Sequence, residues 1–166
     1  MSITTHYHRL THALSGKVGE GSALLLTRLA LAGVFWRSGR TKVTEGTALE
    51  IDEIQYYLFE EFGLPLPSDI ALPLTTYAEH LFPALIAVGL ATRFSALALL
   101  AMTLVIQFLV FPEAWWATHS LWAAMALVLI TRGAGMFSLD ALIDRFRRTP
   151  VSHSAAPSTS LHGQPA

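Results

Sequence analysis

Glu79 and His80 stand side by side in TTYAEHLFPALIAVGL, an otherwise largely apolar run. A carboxylate can carry a proton, and an imidazole can hold or release one near neutral pH. Pro83 has no N–H for the carbonyl four residues back, which is that of Glu79. One helical turn thus offers an acid, an imidazole and a freed backbone acceptor. Other apolar segments carry their own polar residues: Arg28 and Arg37 in the first, Gln107 in the third and His119 in the fourth. Glu79 is the candidate proton carrier, with His80 and His119 as further catalytic candidates. His80, Gln107, His119, Arg37 and Arg28 are candidates for holding a cofactor. A quinone carbonyl suits such donors, and two histidines on different helices also resemble a haem or copper ligand pair. No spacing here makes a recognised metal motif, and no metal site is assigned.

The elements that position these residues follow from composition. Of 166 residues, 52% are apolar and only 14% are charged, against about 25% charged in soluble domains. Between Pro73 and Thr131 the only charged residues are Glu79, Arg93 and Glu113. This is the distribution of an integral membrane protein whose main partner is the lipid bilayer. The net charge of −1 and the lack of a basic stripe give nucleic acid no purchase. Cysteine is absent, which removes disulfides, thiolate metal sites and cysteine nucleophiles.

Four segments reach the length of about 20 residues that a crossing helix needs: 20–39, 72–90, 94–111 and 114–131. The expected fold is all-α, a four-helix membrane bundle. The loop 40–71 contains ALEIDEIQYYLFEEF, where Ile51, Ile54, Leu58 and Phe62 recur at helical spacing. That pattern predicts an amphipathic helix over the mouth of the bundle. A second amphipathic helix is expected over 138–147, capped by Ser138, with its arginines among anionic headgroups. Residues 1–19 and 148–166 read as tails, and His6, His8 and His12 fall in the first of them. Arg28 interrupts the run ahead of Ala30-Leu31-Ala32, so the first helix is expected to stay rather than be cleaved as a signal peptide. Arg9, Lys17, Arg93, Arg132, Arg145, Arg147 and Arg148 gather on one side. By the positive-inside rule both termini are cytoplasmic and the acidic loop faces out.

At about 1.5 Å per residue, Arg37 lies about 3 Å below the outer boundary, Gln107 and His119 about 6 to 8 Å, and Glu79 and His80 about 10 to 12 Å. All four helices therefore place a polar group in the outer third of the membrane. Their ordinary role would be interhelical hydrogen bonding; their common depth favours a pocket. A buried carboxylate needs a cation. Arg37 is the expected partner by depth and Arg28 the second candidate. Small residues predict the inward faces: His80, Ala84, Ala87 and Ala91 on the second helix, and His119, Ala123 and Ala126 on the fourth. Thr103 and Gln107 mark the inward face of the third.

Four pieces in order carry a family resemblance. They are RLALAGVFWRSGRTKV from Arg28, Gly63-Leu64-Pro65, AEHLFPALIAVGLATR with Glu79, Gly89 and Arg93, and RGAGMFSLD from Arg132 to Asp140. Together the chain resembles the DoxX family of small bacterial inner-membrane proteins over about residues 22–145. The resemblance implies a four-helix membrane protein. Some members are membrane subunits of oxidoreductases, including thiosulfate:quinone oxidoreductases, and some of the wider clan assist thiol and disulfide chemistry. Without cysteine, any such role here falls to a protein partner. The reading is a quinone-linked redox subunit that depends on a partner or homo-oligomer and has no self-contained catalytic motif. The alternatives are a membrane scaffold, a small-solute carrier or a haem- or copper-binding protein.

Overall fold

The computed structural model describes Thr11 and residues 16–147; the tail histidines His6, His8 and His12 lie outside the described residues. Four apolar helical stretches are long enough to cross a membrane: Lys17–Arg40, Ser68–Val88, Thr92–Val110 and Pro112–Arg132. We label the helices α1 (Lys17–Arg40), α2 (Ile54–Glu61), α3 (Ser68–Val88), α4 (Thr92–Val105), α5 (Ser120–Arg132) and α6 (Leu139–Arg147). α1 packs on α3 and α4 on α5, while contacts of α3 with α4 and of α1 with α5 close the bundle. The expected all-α membrane bundle is the fold found. Among the described residues the only β pairing is one isolated bridge between Val43 and Ile51.

The packing is inverted relative to a water-soluble domain. Leu26, Leu74, Leu81, Leu97, Phe108 and Leu121 are exposed on the outside of the spans. Arg28, Thr76, Glu79, His80, Gln107 and His119 are buried within them. Lipid covers the apolar belt, and the polar groups must find partners inside the bundle. Leu31, Phe35, Ile86, Leu99, Ala126 and Leu129 fill the remaining core.

The two ends of the bundle differ. At the loop end, α1 runs out at Thr41, and the chain crosses to α3 through residues 41–67. The predicted loop helix is present but shorter: Asp52 accepts the Ile54 N–H at 3.0 Å, so the helix starts there rather than at Ala48. Its apolar face also differs from the expected stripe. Ile54 and Leu58 are exposed, while Phe59 is buried against Ala71 and Leu72, with Tyr56 and Phe62 beside it. The sheet-like pairing of Val43 with Ile51 takes Ile51 out of the helix and resets which face is apolar.

At the opposite, terminal end, α3 stops in a Schellman turn: Leu90 N–H donates to Leu85 O at 2.9 Å and Gly89 N–H to Ile86 O at 3.0 Å. Gly89 has φ +73° there. Ser138 caps α6 as expected, accepting the Ala141 N–H at 3.1 Å. Asp140 reaches back to accept the N–H groups of Ala91 and Thr92 at 2.9 and 3.0 Å, holding the start of α4.

Two under-wound segments flank the corner between the third and fourth spans. Ile106–Val110 and Trp115–His119 are π-helical, separated by Pro112–Ala114 in a 3₁₀ turn. Interrupted winding of this kind recurs at functional sites, and here it carries Gln107 and His119.

Candidate functional site

The carboxylate of Glu79 is 1% exposed and ends in an ion pair. Its partner is Lys42, whose Nζ lies 2.7 Å from Oε2. Ser38 Oγ donates to the other oxygen at 3.0 Å. The ammonium group also faces the Ser38 carbonyl and Ser38 Oγ, each at 3.2 Å, so its three protons have three acceptors. Neither expected arginine is the partner. Arg37 lies two residues, about 200° of helical turn, from buried Phe35, and it is exposed. Lys42 lies beyond the predicted span end. It follows Ser38 by four positions and reaches down from the loop end, its stem half-buried and its ammonium turned inward.

Arg28, the other expected partner, is 1% exposed and serves the terminal end. Its guanidinium donates to the carbonyls of Ala134 at 2.9 Å, Phe137 at 2.8 Å and Ala87 at 3.4 Å. These are the last turn of α3 and the link between α5 and α6. A Cβ at Gly89 would collide with this guanidinium and with Ser138. Arg28, Gly89, Ser138 and Asp140 thus form one knot, and Arg28 is architectural there rather than a ligand group for the loop end.

His80 is buried but turns away from Glu79, as adjacent helical residues must. Its Nδ1 is 2.7 Å from the Thr76 carbonyl. A carbonyl only accepts, so Nδ1 carries the proton and Nε2 of the neutral ring is an acceptor. Nε2 is buried and without a hydrogen-bond partner. The ring lies edge-on to Trp36, centroids 5.0 Å apart. Gly39 makes this approach: a Cβ there would lie 2.8 Å from His80 Cε1. The expected small-residue stripe of α3 does not hold. Ala84 and Ala91 are exposed, and the buried face runs through Leu72, Thr76, Glu79, Pro83 and Ile86. Bulkier polar residues meet α1 because Gly39 yields the space.

Gln107 and His119 meet as the expected inward faces require. Gln107 Nε2 donates to Pro112 O at 2.7 Å, which orients its amide and turns Oε1 toward His119 Nδ1, also 2.7 Å away. His119 therefore donates through Nδ1 and, when neutral, keeps Nε2 as an acceptor. Its ring packs on Trp122 at 5.0 Å. The polar layer is thus three separate units, Glu79–Lys42–Ser38, His80–Thr76 and Gln107–His119, each held by its own partners, with His80 Nε2 left unpartnered. Among the described residues no cluster of three or more His, Cys, Asp or Glu side chains is arranged to hold a metal ion.

One of the three opens on a cavity. A space of about 290 Å³ at the loop end is lined by Ser38, Lys42 and Glu79, with Thr75 beside them. Gln55, Phe59 and Phe62 of the loop segment roof it, and Val105, Ile106 and Phe111 wall it. His80 instead lines a broad hollow of about 740 Å³ with Trp36 and Tyr77. Sequence reasoning reached Glu79 but not Lys42, Ser38 or Gln55. The signal for Lys42 was its place four residues after Ser38.

An inverted bundle with a closed ion pair under a loop helix defines a multi-pass helical membrane protein with an internal polar site. A DoxX family model matches residues 23–112, more than half of the chain. A protein of Haemophilus influenzae described as uncharacterized is 33% identical, over 77% of this chain and 87% of that protein. The chain belongs to the DoxX family. The match covers Glu79, Lys42 and the loop helix and stops at Pro112, so His119 and the RGAGMFSLD segment lie beyond it. No solved structure matches the chain.

Proposed function

We propose that this protein is a quinone-linked membrane subunit of an oxidoreductase assembly, with the quinone head in the cavity at Glu79. The observation that carries the reading is the ion pair itself: a carboxylate 1% exposed, paired at 2.7 Å, lining a cavity inside a membrane bundle. A quinone, when bound, supplies two-electron, two-proton redox chemistry. This chain's part is to orient the head and to move protons at the Glu79 carboxylate, with Lys42 as the adjacent proton-bearing group. Ser38 holds Oε1, and Phe59 and Phe62 cover the cavity from water. In this reading the electrons come from a protein partner of the assembly.

The bacterial inner membrane is the proposed location, with both termini cytoplasmic. Arg93, Arg132, Arg145 and Arg147 sit at the terminal end, while at the loop end Lys42 is tied to Glu79 and Arg40 to the carbonyls of Thr47 and Ala48. That charge asymmetry supports the orientation. A second reading, a scaffold without redox chemistry, is favoured by Arg28, Gln107 and His119, whose partners are all internal.

The test is to purify the full chain from bacterial membranes in mild detergent, extract the quinone and compare it with the bulk membrane ratio. Wild type should retain about one quinone per protein, and Glu79→Gln should lose most of it while folding normally. A wild-type ratio equal to that of the bulk membrane would reject the reading.

A further inference from the structure

The cavity at Glu79 does not end at its own wall. Leu64, Thr75, Val105 and Ile106 line it, and the same four residues line one end of a second hollow of about 300 Å³. That hollow runs between α3 and α4, and Ala71, Ala78 and Ala101 are in its lining. Alanines on both helices leave a slot that larger side chains would fill. Leu74 and Leu109 form its rim and are 60% and 48% exposed, on the belt that lipid covers. Apart from Thr75, every residue lining the slot is apolar. Ile106, shared by both hollows, opens the π-helical turn of the third span, so the junction sits where the helix is under-wound.

The chemistry of the two ends differs and defines what could lie across both. At the polar end Lys42 is the only cationic residue in the lining, and its three protons already have acceptors. A phosphate or carboxylate head would find no free cation. Glu79 keeps unused lone pairs, and among the described residues the side chains of Gln55 and Thr75 have no internal hydrogen bond. These groups suit a neutral head bearing hydroxyl or carbonyl oxygens. The slot suits an unbranched or isoprenoid chain. Each hollow alone is at the lower limit of ligand cavities, about 300 Å³.

We propose that the two hollows are one site for a neutral-headed, long-chain amphiphile, which enters sideways from the bilayer between α3 and α4. Its head reaches Glu79 and Lys42 past Ile106, and its chain lies in the alanine slot. The inference rests on the quinone reading of the Glu79 cavity and adds the tail and the route.

Two benzoquinone probes test it, 2,3-dimethoxy-5-methyl-1,4-benzoquinone with and without a decyl chain, titrated by tryptophan quenching into the full chain in one detergent. Comparing variant with wild type for each probe cancels partition into the micelle. Ala101→Phe, which fills the slot, should weaken the decyl probe at least tenfold and the chainless probe less than twofold. Ala78→Leu, from the opposite wall, should do the same more mildly. Unchanged binding of the chainless probe also shows that the variants fold. Equal weakening of both probes, or of neither, would overturn the slot. So would a slot variant that sheds co-purified phospholipid but keeps its decyl affinity, since the slot would then be a lipid seat. If neither probe binds wild type, the quinone reading itself fails, a result distinct from failure of the slot alone.

Discussion

Removing Lys42 should cost more than removing the carboxylate it serves. In Lys42→Met the Glu79 carboxylate stays 1% exposed with only Ser38 as a donor. Breaking a buried pair from one side typically costs about 3–5 kcal/mol. Lys42 is 12% exposed, so water reaches part of the site and the low end, about 3 kcal/mol, is expected. In Glu79→Leu the orphaned lysine can turn its ammonium to the loop-end surface, and a loss of about 1 kcal/mol is expected. The double variant leaves no buried charge and should lie within about 1 kcal/mol of wild type. The coupling between the two sites is then at least about 3 kcal/mol, at or above the top of the usual range for residues in contact. Reversible unfolding in mixed micelles with increasing SDS, followed by helical circular dichroism, reads all four proteins. Additive losses, or a Lys42→Met variant within about 0.5 kcal/mol of wild type, would refute the pairing and the reversed order of costs.

Gly89→Ala places a side chain at φ +73° and against Arg28; the backbone strain alone is about 1–3 kcal/mol. The same unfolding assay should show at least that loss, and less than additive loss when combined with Arg28→Met. Gln107→Leu strands the buried His119 Nδ1–H, at about 1–3 kcal/mol, while the Pro112 carbonyl belongs to an exposed residue. Adding His119→Phe should recover part of the loss, as a melting-temperature series would show.

The architecture was legible because lipid imposes a strong pattern: long apolar runs, few charges and short connections between the spans. The inward faces of the third and fourth spans were legible too, since Thr103 and Gln107, and His119, Ala123 and Ala126, share stripes that are buried. On the second span alanine does not mark close packing, because the close approach is provided by Gly39 on the neighbouring helix. The partner of Glu79 was missed for a related reason. Helical depth along the apolar run leaves out a lysine beyond its end, which can reach back by the length of its own side chain. Arg28 cannot be placed from its own neighbourhood, because its acceptors are backbone carbonyls without a side-chain signature, two of them 106 and 109 residues away. The loop helix was found, but its buried face turned on a backbone pairing that periodicity does not report.

The Arg28 contacts set an order of events in biogenesis. The carbonyl of Ala134 is 106 residues further along the chain than the guanidinium it accepts from. At synthesis rates of about 5–20 residues per second, the first span waits about 5–20 s after Arg28 is made before that acceptor exists. During this interval a cation in the middle of a spanning helix depends on water, lipid phosphate or the insertion machinery. The first span can therefore be threaded early but reaches its final environment only when the last one arrives, so the bundle closes as a unit. A chain halted after its third span would display an unsatisfied arginine, a feature by which membrane quality control could tell a fragment from a finished protein.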